Sequence, residues 1–134
     1  MVAVQGDQVT ALVWDFEQPK QDVSNHPFYT RILPATKAAP VTLHVRHLHA
    51  NAAYRFKLYR TGYQANDAYS AYLAMRAPKD LSSSQISTLN DLTRDRPEMD
   101  STLKTQKDGS LTITVPMRSN DIVLVSLVRA SGKE

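Results

Sequence analysis

Three histidines in one short segment are the first residues whose spacing suggests chemistry. They are His44, His47 and His49, and the last two would project from the same face of an extended strand. Two histidines on one face can chelate zinc or copper, but the sequence identifies neither a third ligand nor a group that would orient the rings. We therefore interpret them as solvated or interdomain histidines, and we predict no metal site and no cofactor.

Nucleophilic catalysis finds no support in the sequence either. The chain has no cysteine, which excludes disulfides, thiolate zinc sites and thiol catalysis. Serines are plentiful, but no Gly-x-Ser-x-Gly motif is present to expose one of them as a nucleophile. The sequence thus contains no recognisable catalytic motif of these classes.

A group of aromatic residues is the strongest candidate for function. Its members are Trp14, Tyr59, Tyr63, Tyr69 and Tyr72. Aromatic faces stack on sugar rings, and they also fill protein interfaces because they bury a large area while keeping a polar tip. An exposed sugar-binding platform and a surface buried against another domain both remain open. Ala65, Ala68 and Ala71 alternate with the tyrosines, which indicates close packing and favours the interface for residues 61–72.

Polar side chains accompany these rings. Asp15 stands between Trp14 and Phe16 at the end of a predicted strand, where a carboxylate can serve a cleft or, more ordinarily, cap a turn. Asn66 and Asp67 lie in the segment between the tyrosines. We predict that contacts to a partner domain or to a sugar come from Trp14, Asp15, Tyr63, Asn66, Asp67, Tyr69 and Tyr72.

Length and composition limit the class of protein. A chain of 134 residues suffices for one domain, so we expect residues 1–134 to form a single unit. Hydrophobic residues make up 42% of it, and no window has the eighteen or so apolar residues of a membrane span. The net charge of +3 is scattered, which argues against nucleic-acid binding. The first ten residues lack signal-peptide features, so any export signal would lie upstream, and the sequence leaves the compartment open.

Alternation of apolar and polar residues dominates the chain and predicts β-strands. It is clearest in residues 9–16, 41–48, 53–60, 110–117 and 121–130. Residues 121–128 are almost continuously apolar, which is typical of a central strand covered on both faces. The number of strands and the turns between them predict an all-β fold, an antiparallel β-sandwich of the Ig-like type with one short α-helix.

Turn signals predict how the last strands connect. Asp108-Gly109 supplies the positive φ angles of a tight hairpin between residues 101–106 and 110–115. The sequence Ser119-Asn120-Asp121 marks the next turn. Together the two turns predict a meander of three strands at the end of the chain.

The predicted helix begins at Ser82. Gln85 follows three residues later, and the two form a capping box. Ile86, Leu89 and Leu92 then recur on one stripe, by which we expect the helix to pack on the sandwich.

A long segment, residues 17–40, separates the first two strongly predicted strands. It contains Pro19, Pro27, Pro34 and Pro40, too many for a strand inside a sheet. Irregular segments of this length are usually functional or supported by another domain.

Residues 61–78, TGYQANDAYSAYLAMRAP, and the following KDLSSSQISTLNDL resemble a segment of glycoside hydrolase family 39, the β-xylosidase and α-iduronidase group. In bacterial members this segment reads His-Ser-Asn-Ala-Tyr, Trp, Met-Gly-Ser-Pro and then a helix opening with Leu-Ser. The matching residues here are Ala68, Tyr69, Met75, Pro78, Leu81 and Ser82. Tyr72 replaces the Trp, and the departures are Ala65, Asn66, Asp67, Arg76 and Ala77.

The resemblance extends over roughly residues 9–128 and implies the C-terminal β-domain of such an enzyme, outside its catalytic (β/α)8 barrel. Both catalytic glutamates of the family lie on barrel strands, and the glutamates here, Glu17, Glu98 and Glu134, carry no matching motif. The implied role is a non-catalytic accessory domain that packs on the barrel of the same polypeptide and stabilises it, with the loop from Gly62 to Tyr72 near the rim of a cleft for xylo-oligosaccharides. A free-standing carbohydrate-binding module and an Ig-like protein-interaction domain are the alternatives.

Overall fold

The structure is a computed structural model that describes residues 1–18, 20, 22–24 and 30–130. The strands in this part of the chain are β1 (Val2–Gln5), β2 (Gln8–Trp14), β3 (Val41–Val45), β4 (Ala53–Thr61), β5 (Met99–Lys104), β6 (Leu111–Val115) and β7 (Ile122–Arg129). The helices are α1 (Ala68–Ala74) and α2 (Ser83–Leu92). Among the described residues, neither helix has the length and apolar character that crossing a membrane requires.

The strands form two antiparallel sheets. The larger has the order β1-β2-β7-β4-β5, and the smaller pairs β3 with β6. The large sheet places β7 at its centre, as the apolar run of residues 121–128 predicts. The predicted all-β sandwich is therefore confirmed.

The core lies between the two sheets and is made by alternate residues of each strand. Tyr54, Phe56 and Leu58 of β4 point inward together with Val123 and Val125 of β7, and all of them are at most 3% exposed. The small sheet contributes Leu111, Ile113 and Val115 from the opposite side. Burial of these apolar side chains is the main stabilising term of the fold, at about 25 cal/mol per Å² removed from water.

The turn at Asp108-Gly109 is confirmed, but the hairpin and the three-strand meander are wrong. Gly109 has φ +73° and donates its N–H to Gln106 O over 3.0 Å, as a tight turn requires. The flanking strands, however, enter different sheets, because β5 pairs with β4 and β6 pairs with β3. The chain bends at buried Thr105, whose hydroxyl donates to His49 O over 2.6 Å. Alternation alone cannot reveal this change of sheet, since both strands need one apolar face.

One face of β7 is less covered than expected. Val123, Val125 and Leu127 are buried, whereas Ile122 is 50% exposed and Val128 is 43% exposed. The prediction that both faces are covered is therefore wrong at the two ends of the outer face, where Ile122 and Val128 are exposed.

The predicted helix is present as α2, and its capping box is confirmed. The Ser82 hydroxyl accepts from Gln85 N over 3.3 Å, and the Gln85 side chain accepts from Ser82 N over 2.9 Å. The expected packing of this helix on the sandwich is wrong, because α2 lies mainly against α1 and leaves Ile86 46% exposed and Leu92 42% exposed. The structure also has a second helix, α1, which was not predicted. Its seven residues are too few to show a helical periodicity in the sequence.

The described part of the long segment before β3 is fastened to the turn before β7. Thr36 O accepts from Ser119 N over 2.9 Å, and Ala38 N donates to Met117 O over 3.1 Å. Pro34 and Pro40 lie in this irregular stretch, as predicted, whereas Pro19 and Pro27 lie outside the described residues.

The fold predicts unequal costs for two apolar truncations. Leu58→Ala should lower the free energy of unfolding by about 2–5 kcal/mol, because the side chain is 1% exposed and its removal leaves a cavity between the sheets. Ile86→Ala should cost roughly 1 kcal/mol or less, since that residue lies half-exposed on α2. Urea unfolding of both variants measures the difference, and equal losses would contradict the packing described here.

Candidate functional site

A buried cluster of charged residues organises one end of the large sheet. Asp121 is 0% exposed and accepts from Arg60 Nη1 over 2.5 Å and from Arg118 Nε over 2.9 Å. Arg60 is 5% exposed and also contacts Glu98 over 2.6 Å. Its remaining nitrogen donates to Pro116 O over 2.9 Å, so every charge in the cluster has a partner.

The guanidinium of Arg60 remains charged in this setting. Burial acts to lower its pKa, but the hydrogen bonds that Arg60 donates to Glu98 and Asp121 outweigh burial and raise the pKa above its ordinary value. A permanently charged arginine between two carboxylates is suited to a structural clamp, since it cannot take up or release a proton near neutral pH.

The loop after β4 is built around this cluster. A Cβ atom on Gly62 would collide with the carboxylate of Asp121, so this position requires glycine. Arg118 donates to Tyr63 O over 3.1 Å, and the Asn66 amide donates to Arg60 O over 2.8 Å. The loop that carries Tyr63 is therefore held from both sides by buried or half-buried polar groups.

Asp67 ends the loop and begins α1. Its carboxylate accepts from Ser70 N over 2.9 Å and from Gln64 N over 3.1 Å, which makes it the N-cap of the helix. Burial acts to raise the pKa of Asp67, but the hydrogen bonds from Ser70 and Gln64 outweigh it and lower the pKa below its ordinary value. The carboxylate thus stabilises the folded loop in its ionised form.

An open groove lies beside the loop, at the end of β2. Its volume is about 570 Å³, within the range of small-molecule sites. Its lining residues are Trp14, Asp15, Phe16, Leu33, Tyr63, Ser119, Asn120 and Ile122. Asp15 N donates to Asp121 O over 3.1 Å, so the backbone of the groove is tied to the buried cluster.

Tyr69 and Tyr72 lie on α1, away from this groove. Their ring centroids are 6.4 Å apart with 29° between the planes, and the Tyr72 hydroxyl donates to Pro78 O over 3.2 Å. Tyr69 is 53% exposed, and neither ring belongs to the core between the sheets. Tyr54, by contrast, is 1% exposed and is a core residue, as its position in the strand indicates.

The structure brings together some of the predicted site residues and separates others. Trp14, Asp15 and Tyr63 line the same groove. Asn66 and Asp67 line two smaller pockets that Tyr63 also lines, one of them together with Tyr69, and their polar atoms are engaged in the loop. Tyr72 lies apart. Sequence reasoning missed Leu33, Asn120 and Ile122, which approach the groove only through the fold.

The charged cluster was also missed, although the sequence contains a signal for it. Arg60 occupies an inward position of β4, in register with Tyr54, Phe56 and Leu58. An arginine in such a position requires a buried acidic partner, and Asp121 immediately before the apolar β7 is such a candidate.

The histidines serve separate contacts. His49 Nε2 lies 3.0 Å from Asp7 Oδ1, and His44 Nδ1 lies 3.3 Å from Thr112 Oγ1. Among the described residues, no group of three or more His, Cys, Asp or Glu side chains is arranged to hold a metal ion.

Comparison with solved structures places the chain beside family 39 glycosidases. It matches the enzyme of this family from Xanthomonas axonopodis pv. citri with 46% identity and a TM-score of 0.87, over 96% of this chain and 25% of that one. It matches a monomeric β-xylosidase from Caulobacter crescentus CB15 with 40% identity and a TM-score of 0.86, over 97% of this chain and 26% of that one. A family 39 β-xylosidase from Caulobacter crescentus matches at 31% identity and a TM-score of 0.60, over 95% of this chain and 22% of that one.

The resemblance drawn from residues 61–92 is therefore confirmed over nearly the whole chain. The chain spans only about a quarter of the length of these enzymes. Neither a scan against models of protein families nor a search of curated proteins found a match.

The buried cluster predicts a large effect for a small substitution. Asp121→Asn should lower the free energy of unfolding by about 3–5 kcal/mol, because it removes the charge of a fully buried carboxylate that both Arg60 and Arg118 contact and leaves Glu98 as the counter-charge of buried Arg60. Asp100→Asn is the matched control, since it breaks the exposed pair with Arg55 and should cost much less. Urea unfolding at neutral pH measures both, and a control as damaging as Asp121→Asn would contradict the role given to burial.

The N-cap predicts a pH dependence. Because the pKa of Asp67 is lower in the folded state, its contribution to stability is present above the unfolded pKa and is lost as the pH falls through the folded pKa. Asp67→Asn keeps a capping oxygen but cannot titrate, so its unfolding midpoint should fall less steeply than that of the wild type when the pH drops below about 5. Identical acid profiles of the two proteins would contradict this assignment.

Proposed function

We propose that this chain is the non-catalytic accessory β-domain of a larger family 39 glycosidase of the β-xylosidase type. The observation that carries the proposal is the asymmetry of coverage. At 46% identity, the match takes in 96% of this chain but 25% of the Xanthomonas enzyme, so this chain corresponds to one domain of such a protein. The remaining length in those enzymes is enough to hold a separate catalytic domain.

The placement of the carboxylates supports a non-catalytic role. Retaining glycosidases need two carboxyl groups about 5 Å apart, both open to the sugar and to water. Asp121 is sealed from solvent, and Glu98 is paired with Arg60, which also binds Asp121. Glu17 is exposed, and its backbone N–H donates to the Asn120 side chain, while Glu134 lies outside the described residues. The burial of Asp121 and the pairing of Glu98 with Arg60 do not suit either residue to the role of acid or nucleophile.

The role that fits this arrangement is support of a catalytic barrel in the same polypeptide. A domain of this kind covers apolar surface on its partner and raises the stability of the whole enzyme. The parent would remove terminal xylose from xylo-oligosaccharides with retention. Trp14, Asp15 and Tyr63 would contact the partner domain or a sugar at the cleft rim, with Asn66, Asp67, Tyr69 and Tyr72 on the adjoining loop and helix.

The groove also supports a second candidate function, that of a free-standing carbohydrate-binding module. Trp14, Phe16 and Tyr63 place three rings around one opening, with the carboxylate of Asp15 and the amide of Asn120 beside them. This combination of aromatic faces and polar groups suits a sugar. Calorimetric titration of the chain with xylo-oligosaccharides distinguishes the two, since an independent module binds them without a barrel.

The proposal predicts that the purified chain does not hydrolyse an aryl β-xyloside, while the intact enzyme that contains it does. The physical reason is that neither acid nor nucleophile is provided by this domain. Release of the aryl group is followed by absorbance. Turnover by the purified chain that disappears in Glu17→Gln or Asp15→Asn would contradict the proposal, because it would place a catalytic carboxylate in this domain.

A further inference from the structure

The outer face of the large sheet carries an apolar strip at its centre. Strand register places Trp14 opposite Ile122, and Leu12 opposite Leu124. On the other side of β7, Tyr59 lies opposite Leu124. We call these five residues, Leu12, Trp14, Tyr59, Ile122 and Leu124, the outer strip. All of them alternate with core residues, so their side chains point away from the small sheet.

The outer strip is more apolar than a sheet face in contact with water normally is. An antiparallel sheet with one face in water normally alternates between apolar and polar residues. The small sheet of this chain follows that rule, since its outer positions are Thr42, His44, Thr112 and Thr114, all exposed. The central strands of the large sheet follow the rule at Thr10, Lys57 and Ser126 but break it at the outer strip, where Trp14 is 56% exposed and Ile122 is 50% exposed. The same chain therefore distinguishes a face adapted to water from a strip that is not.

Polar residues bound the strip on one side. Further along β4, Arg55 contacts Asp100 of β5 over 2.9 Å, and Lys57 lies 3.9 Å from the same carboxylate. An apolar centre with a charged rim is the usual composition of a protein interface. Helix α2 also exposes apolar residues, Ile86 and Leu92, but it rests mainly on α1 and lies outside the sheet.

We propose that the outer strip is the surface on which the catalytic domain of the same polypeptide docks. This inference rests on the proposed function. It adds which face of this chain contacts the catalytic domain. The partner that would cover the outer strip is inferred from chain length. The similar enzymes are about four times as long as this chain, and the remaining three quarters of each enzyme must lie against this domain or beside it. The α1 and α2 side, with Tyr69 and Tyr72, then lies at the margin of the contact and not at its centre.

Single cysteines test this in the intact enzyme, because the chain itself has none. Ile122→Cys reports on the outer strip, Thr114→Cys on the solvated face of the small sheet, and Ile86→Cys on the helices. Each variant is treated with iodoacetamide, and labelling of its own peptide is followed by mass spectrometry in native buffer and in urea. We expect Ile122→Cys to be labelled at least about tenfold more slowly in native buffer than in urea, and Thr114→Cys at nearly equal rates.

The other outcomes separate the docking face from the function. Fast native labelling of Ile122→Cys together with slow labelling of Ile86→Cys would overturn the face while leaving the accessory function in place. Protection of Ile122→Cys that falls when the protein is diluted would also overturn it, since the strip would then join two copies of the enzyme. A natural gene product of only 15.0 kDa would overturn the proposed function itself, whatever the labelling shows.

Discussion

The buried contact between Arg60 and Asp121 is the interaction on which the rest of this structure depends. Arg60 closes the inward row of β4, and Asp121 immediately precedes β7, so the pair fastens the ends of two neighbouring central strands. Arg60 also binds Pro116 O, just beyond β6 of the small sheet. One guanidinium thereby links both sheets at the end where the core closes. Neither charge can be left alone there, because an unpaired buried charge costs several kcal/mol.

The same cluster determines where the candidate site lies. Arg118 holds Tyr63 O, and Asp121 O accepts the backbone N–H of Asp15, so two separate loops are tied to one acidic residue. Trp14 and Tyr63 consequently face one groove although 49 positions, from 14 to 63, separate them in the sequence. Gly62 permits the close approach because it has no Cβ to meet the Asp121 carboxylate. A groove supported by buried ion pairs is suited to present aromatic rings in fixed positions.

The two sheets face different surroundings, and this difference connects the fold with the proposed function. Threonines and His44 cover the outside of the small sheet, as water requires, whereas the outer strip of the large sheet carries Trp14, Ile122 and Leu124. Local propensity favours strands on both sheets equally, since β-branched and aromatic residues suit either. Only the residues that point away from the core distinguish a sheet face that lies in water from one that packs on another domain. The accessory role that we propose, with a catalytic domain packed on the large sheet, accounts for both faces.

The sequence by itself determined the elements whose signals are local. Period-2 alternation predicted the strands, Ser82 with Gln85 predicted the start of α2, and Asp108-Gly109 predicted the turn. Each of these depends on side chains and backbone groups within a few residues of one another. The similarity to family 39 was also visible in the order of residues 61–92, and the fold extends it to nearly the whole chain.

Only the tertiary structure decided which strands pair, where α2 packs and which residues line the groove. Alternation shows that a strand has an apolar face but not which sheet the strand belongs to. The predicted pairing of β5 with β6 is wrong for this reason. The stripe of α2 indicated a partner without identifying α1. The pairing of Arg60 with Asp121 joins positions 61 residues apart, and such contacts are fixed by burial, which no local pattern records.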